Sequence, residues 1–417
     1  MGIGYYNYKR RLQLWTYFQT TQAVKIFCPS SSVIRRDNRM KNFDPAQLLR
    51  QDLNDFPPYS MGHVPLADLD HLIKLDLNEN PYGASPKAIA ALAEMQHYHR
   101  YVGQDELRAD IARYVGVDVE HIVASNGADE MIDLVERVFL NRGDAILDCP
   151  PSFEMYSFFA RVNSARIISV PRRADFSIDV DAIERTISDF KFQIADSNNL
   201  KSETLAPHAS AGVCNLKLFF LTSPSNPDGG ITARADIERL LALPVILVLD
   251  EAYAEFAGES YATRVPTQSN LIVLRTFSKW AGLASLRVGY CIAPKAIVAK
   301  ILQIKPPENV NSAGIVAARA SLNDLDYLLG NVKRIIAERE RLSVALAQLG
   351  FLQPFPSHAN FIFCRVLGRD AKAIQTTLAQ QNILIRAFKS PRLRDYIRIA
   401  VGTPEQNAVL VSALRDL

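Results

Sequence analysis

From Asp68 onward, short apolar runs alternate with stretches in which apolar side chains recur every three or four positions. The runs cover 145–147, 166–170, 216–221, 245–249, 271–274 and 288–292, and each stops at polar or turn residues. Nearly continuous in apolar residues rather than alternating at every second position, they suit strands buried on both faces, as in a parallel sheet between helices. The periodic stretches predict helices over 88–95, 105–114, 128–140, 181–190 and 233–242. Asp129 and Glu130 stand where the positive end of the third helix would favour them. The pattern is that of a three-layer αβα domain with a mostly parallel sheet, spanning about 100–310.

Residues 193–213 interrupt it. They are rich in Ser, Asn, Ala and Lys, have no apolar period, and read as a mobile surface insertion. Beyond 311 the texture changes to a long helix over 313–349, a strand at 361–365, a helix at 371–381, and strands at 383–387 and 396–400. This predicts a smaller α+β domain over 311–417, which residues 60–99 are expected to join. Residues 1–59 are expected to be a largely disordered extension.

Composition adds limits. The 417 residues are 48% hydrophobic and 22% charged, proportions of a globular chain long enough for two or three domains. The net charge of +3 comes from the start: residues 1–36 hold six basic and no acidic side chains, leaving 41 basic against 44 acidic beyond them. A polyanionic partner is therefore not indicated, and basic residues interleave with aromatics only at Tyr5–Arg11, too little for a nucleic-acid module. Gln13, Gln19, Thr20, Thr21 and Gln22 break up the best secretory candidate, and a transit peptide would lack a good amphipathic face; Met40 is a plausible true start. No apolar run reaches the length of a membrane span. Five dispersed cysteines without a CxxC, and seven scattered histidines, give no disulfide framework and no metal site, so a reducing, cytoplasmic location is expected.

Polar residues fall just past the ends of three predicted strands, where open α/β sheets bind ligands. Thr222-Ser223-Pro224-Ser225-Asn226-Pro227-Asp228-Gly229 follows the first and Asp250-Glu251-Ala252-Tyr253 the second. Arg275-Thr276-Phe277-Ser278-Lys279 follows the third, with Arg287 eight residues on, and Ser125-Asn126-Gly127-Ala128-Asp129-Glu130 opens the helix at 128. Singly, these are a capping carboxylate, a surface lysine, a turn and a helix lead-in. Together they meet the needs of pyridoxal 5′-phosphate. A desolvated lysine can form a Schiff base, and a carboxylate can keep a pyridine nitrogen protonated. An amide and a phenol can hold the 3′ oxygen, while a hydroxyl, an arginine and a helix N-terminus can hold a phosphate dianion.

These stretches resemble the fold-type I enzymes that use pyridoxal phosphate and, within the class I/II aminotransferases, the histidinol-phosphate aminotransferase family. Further matches are Leu75-Asp76-Leu77-Asn78-Glu79-Asn80-Pro81-Tyr82-Gly83, Cys149-Pro150-Pro151-Ser152-Phe153 and Ile397-Arg398-Ile399-Ala400-Val401-Gly402-Thr403. The resemblance covers about 60–417 apart from the insertion. It implies that Lys279 carries the cofactor and moves the substrate proton, that Asp250 holds the pyridine nitrogen, and that Asn226 and Tyr253 hold the 3′ oxygen. It places Ser278, Arg287, Ala128 and Asp129 at the phosphate, and Phe153 against the ring where the family often has tyrosine. Tyr82 is implied to reach from a second subunit, hence a homodimer. Arg398, helped by Arg386, is the candidate for the substrate's anion, because one site must accept the phosphate of histidinol phosphate and then the carboxylate of glutamate. The implied reaction is transamination between L-histidinol phosphate and 2-oxoglutarate in histidine biosynthesis. The alternatives are an aromatic amino-acid transaminase, a threonine-phosphate decarboxylase and, from another class, a transcription regulator that would need a DNA-binding module not seen in residues 1–59.

Overall fold

Two sheets organise the chain. The first has seven strands: β2 (Ile122–Ser125), β3 (Ala145–Asp148), β4 (Arg166–Ser169), β5 (Leu216–Thr222), β6 (Ile246–Asp250), β7 (Leu271–Thr276) and β8 (Gly289–Ile292). Their order is β2-β8-β7-β6-β5-β3-β4, and β8 alone runs against its neighbours. The second sheet joins β1 (Ile73–Leu75) to β9 (Leu352–Pro354), β10 (Phe361–Val366), β11 (Ile383–Ala387) and β12 (Tyr396–Ala400) in the order β1-β11-β12-β10-β9. The computed structural model describes residues 44–50, 53, 56, 64–198 and 215–417.

Strand alternation divides the first sheet's apolar side chains between two cores, as layers of helices on both faces require. Phe219, Leu221, Leu247, Leu249 and Val273 face one core, which also takes in Leu107, Ile111 and Trp280. Ile146, Leu218, Phe220, Val248 and Ile272 face the other, against Met131, Val135 and Tyr156. In the second sheet Ile362, Cys364, Ile383, Ile385, Ile397 and Ile399 pack on Leu342, Leu346, Leu378 and Leu410 from helices. The opposite face therefore presents Phe361, Phe363, Arg386, Tyr396 and Arg398.

Residues Pro58–Leu417 form one compact unit, and Met1–Pro57 are a separate one. Most of the predicted 1–59 extension lies outside the described residues; within it Pro45–Leu48 make a single 3₁₀ turn capped by the Asp44 carboxylate. The predicted insertion starts too early, since 193–198 continue the helix Val180–Asn198; residues 199–214 lie outside the described residues. The long helix expected over 313–349 is two, Ser312–Leu322 and Leu325–Ala347, parted at Asn323 and Asp324. Of the N-terminal segment, β1 pairs with β11 in the second sheet, whereas helix Pro86–Ala93 packs against Ser312–Leu322 and buries Ala88 with the first sheet's core.

Candidate active site

The C-terminal ends of β5, β6 and β7 bring the predicted residues together. Asp250 closes β6 and is buried, beside Thr222 at the end of β5. Tyr156, fully buried on helix Met155–Val162 and stacked on Phe220, donates its hydroxyl to Asp250 Oδ2 at 2.6 Å and lies 2.8 Å from Thr222 Oγ1. The Ala252 N–H reaches Asp250 Oδ1 at 3.0 Å. Burial pushes the Asp250 carboxyl up to about 6, and these two donors and the nearby Lys279 hold it from rising further.

Lys279 stands in the turn after β7, its Nζ donating to Leu77 O at 2.9 Å. Burial and the neighbouring Arg398 lower its ammonium to about 8, opposed by Glu79 and Asp129. The lysine turn and segment 77–83 are built against each other. Asn80 Nδ2 donates to Trp280 O at 2.9 Å, and a Cβ on Gly282, at φ +68°, would run into the Gly83 carbonyl. Asn78, held at φ +55° while Asn360 donates to its carbonyl at 2.9 Å, gives its own Nδ2 to the Tyr253 hydroxyl at 2.9 Å. That oxygen thus accepts from Asn78 and keeps its hydrogen to donate elsewhere.

The helix Ala128–Phe139 opens after Gly127 at φ +90°; a Cβ on Gly289 would run into the backbone of Gly127 and Ala128, and one on Gly127 would meet the Arg287 guanidinium. Arg287, at φ +52°, bonds Asp129 Oδ2 at 2.7 Å beside this helix end. Ser278 is buried, its backbone N–H on Thr276 Oγ1 at 3.0 Å. Phe153 meets Tyr156 edge-on at 5.6 Å. Tyr82 is half-buried against its own chain's core, with Arg334 over its ring at 5.8 Å.

Arg398 comes to this site from the second sheet. It donates from Nη1 to Asn226 Oδ1 at 2.6 Å and from Nη2 to Asp76 O at 2.8 Å, with its guanidinium over Phe361. Asn226 therefore turns its oxygen to the arginine, and among the described residues no hydrogen bond occupies its NH₂, which is left to donate to a ligand. Arg386 is the direct cross-strand partner of Arg398, so both side chains leave the same face. Like charges in that position repel unless an anion lies between them.

Sequence reasoning missed Tyr156, Thr222 and Asn78 as members of the site. Thr222 and Asn78 lie within motifs it did read and Tyr156 three residues past one, but their contacts with one another, Asp250 and Tyr253 are disclosed by no spacing along the chain. Among the described residues no three His, Cys, Asp or Glu side chains gather as a metal site, and no helix is long and apolar enough to cross a membrane.

This donor set fits pyridoxal phosphate: a buried carboxylate, a desolvated amine, an amide and a phenol with donors to spare, and a serine and an arginine beside a helix N-terminus. Residues 70–414 match the family model for aminotransferase class I and II. The chain is 46% identical over 388 residues to histidinol-phosphate aminotransferase of Roseiflexus castenholzii, covering 89% of this chain and 98% of that protein. It is 40% identical over 414 residues to the chloroplastic histidinol-phosphate aminotransferase of Nicotiana tabacum, covering 95% and 94%. A solved histidinol-phosphate aminotransferase from Sinorhizobium meliloti in complex with pyridoxal-5′-phosphate superposes with a TM-score of 0.73 at 25% identity, over 86% of this chain and 95% of that one. An L-threonine-O-3-phosphate decarboxylase from Porphyromonas gingivalis shares the fold at a TM-score of 0.67 and 22% identity, over 83% and 99%.

Proposed function

Since the chain belongs to the class I and II aminotransferases and, within them, to the histidinol-phosphate aminotransferase family, we propose that it interconverts L-histidinol phosphate and 2-oxoglutarate with imidazole acetol phosphate and L-glutamate. Pyridoxal phosphate, bound at the strand ends, would supply the electron sink that lets an amino group leave one substrate and join the other. Asp250 would keep the pyridine nitrogen protonated, and Tyr156 and Ala252 keep that carboxylate charged and aimed. Asn226 and Tyr253 have the spare donors for the 3′ oxygen, and Phe153 the apolar face for the ring. Ser278, Arg287 and the N–H groups at Ala128 and Asp129 would take the phosphate. Lys279 Nζ, deprotonated above about pH 8, would anchor the cofactor and move the proton at the amine-bearing carbon.

The observation that carries substrate choice is the pair Arg386 and Arg398 on one face, next to Asn226. A single arginine suffices for the carboxylate of glutamate; two suit a phosphate dianion. The reading includes a homodimer. Tyr82, half-buried on its own chain, would reach toward the cofactor phosphate of that second copy, and Tyr98 and Tyr101, 71% and 94% exposed, are suited to being covered by it. It also includes a reducing, cytoplasmic location, in keeping with Cys149, Cys291 and Cys364 buried as free thiols.

Single-turnover rates of the holoenzyme with histidinol phosphate, phenylalanine and threonine phosphate test the proposal. Histidinol phosphate should react fastest, and Arg386→Ala should slow its half-reaction about ten- to a hundredfold while sparing that of glutamate. A wild-type enzyme inert toward histidinol phosphate would end this reading, and equal penalties on both substrates would end the role of Arg386.

A further inference from the structure

The connection from β11 to β12 is tied to a segment belonging to the other sheet. Arg392 donates from Nη1 to Pro150 O at 3.1 Å and from Nη2 to the carbonyls of Arg172 and Arg173, both at 2.6 Å. Its guanidinium also lies over the ring of Phe176, 5.5 Å from the centroid. Phe176 is buried and held at φ +67°, a conformation a bulky side chain adopts only when its surroundings compel it. Those surroundings are Phe355, Phe363 and Tyr396, which it meets edge-on at 5.2 to 5.5 Å. From beneath, Arg172 bonds Cys149 O at 3.3 Å and Phe176 O at 3.0 Å, so the segment that receives Arg392 is itself braced.

This contact lies on the face that matters. Phe363 is the cross-strand partner of Arg398, and Tyr396 precedes Arg398 by two residues, so both rings share its side of the sheet. The loop that Arg392 secures leaves β11 directly after Arg386 and Ala387. Arg398 has tethers of its own in Asn226 and the Asp76 carbonyl, whereas no hydrogen bond holds the Arg386 side chain among the described residues. Whatever keeps Arg386 beside Arg398 must act through the backbone of β11 and its loop.

We propose that Arg392 is a positioning residue for the phosphate-bearing substrate: it clamps the β11–β12 loop onto residues 150–176 and so holds Arg386 in register with Arg398 over the pocket. The clamp rests on the proposed function only for the identity of the anion. Arginine suits the task because its planar fork reaches several carbonyls while its face covers a ring.

The holoenzyme of Arg392→Ala should need about tenfold more histidinol phosphate for its half-maximal single-turnover rate, with the limiting rate and the glutamate half-reaction within about twofold of wild type. Arg392→Lys, which keeps the charge and some donors, should recover part of the loss. Amide exchange over residues 386–396 should accelerate at least about tenfold in the alanine variant and stay unchanged elsewhere. Equal weakening with both substrates, or unaltered exchange in that loop, overturns the proposal. A wild-type enzyme that ignores histidinol phosphate would instead remove the proposed function and leave the exchange measurement to decide whether the clamp exists.

Discussion

Lys279 and Asp250 are tuned by the same burial in opposite senses. Removing water destabilises whichever form is charged, so the amine falls to about 8 and the carboxyl rises to about 6. Between those values Asp250 is anionic and Lys279 is still mostly protonated. Uptake of pyridoxal phosphate by the apoenzyme should therefore speed up as pH rises from 6 to 8, because the neutral amine is the nucleophile, and level off above it. A surface lysine would keep accelerating toward the ordinary 10.5. Stopped-flow uptake across this range decides between them. Affinity should decline below about pH 6, where Asp250 takes up a proton and can no longer pair with a pyridinium. Lys279→Ala should abolish turnover, and borohydride treatment followed by peptide mass analysis should find cofactor fixed to wild type and none to the variant. Lysine, aspartate, tyrosine and asparagine at these positions were legible from sequence because each ends or follows a buried strand. Tyr156 was not: it serves Asp250 from a helix in the next layer, through a contact that only the packed fold creates.

At the scale of elements, the strands of the first sheet that could be read are those whose runs are nearly continuous in apolar residues, β3 to β8, although β4 at the sheet edge is exposed at Arg166 and Ser169 rather than buried on both faces as its run predicted. β1, β2 and β9, of three or four residues each, were left unread. The break at Asn323 and Asp324 escaped because apolar positions continue on both sides of it, where Leu322 and Leu325 pack on the same core. Helix Pro404–Arg415 announces itself by a capping box, Thr403 with Gln406, that a search for periodicity alone passes over. The fit between segment 77–83 and the lysine turn is the element most exposed to a small change. Gly282 lies at φ +68° with backbone where its Cβ would go, so Gly282→Ala should force the two segments apart. A loss of about 1–3 kcal/mol in stability is expected, accompanied by weaker retention of pyridoxal phosphate, since the displaced turn carries Lys279. Thermal melting with and without added cofactor measures both effects; an unshifted melting curve would show that the segments can separate without cost.

For the whole molecule, the presence of a second, five-stranded sheet was legible because helix and strand textures change beyond residue 311. Which face of the second sheet meets the first was not, since alternation along β10 to β12 assigns two faces without saying what covers either. The fold settles it by giving one face to helices and leaving the other, with Arg386 and Arg398 adjacent, toward the strand ends. Two arginines paired on one face in this way would make a general receptor for small tetrahedral dianions, with little power to tell one from another. The solution in which the protein is handled thus becomes a competitor: inorganic phosphate or sulfate should raise the concentration of histidinol phosphate needed for half-maximal rate without lowering the limiting rate, and chloride at equal ionic strength should do so far less. If all three salts act alike, the effect is screening alone and the pair does not bind dianions. If phosphate and sulfate stand apart, reserves of free phosphate in the cell set the working affinity of the protein as surely as any residue in it.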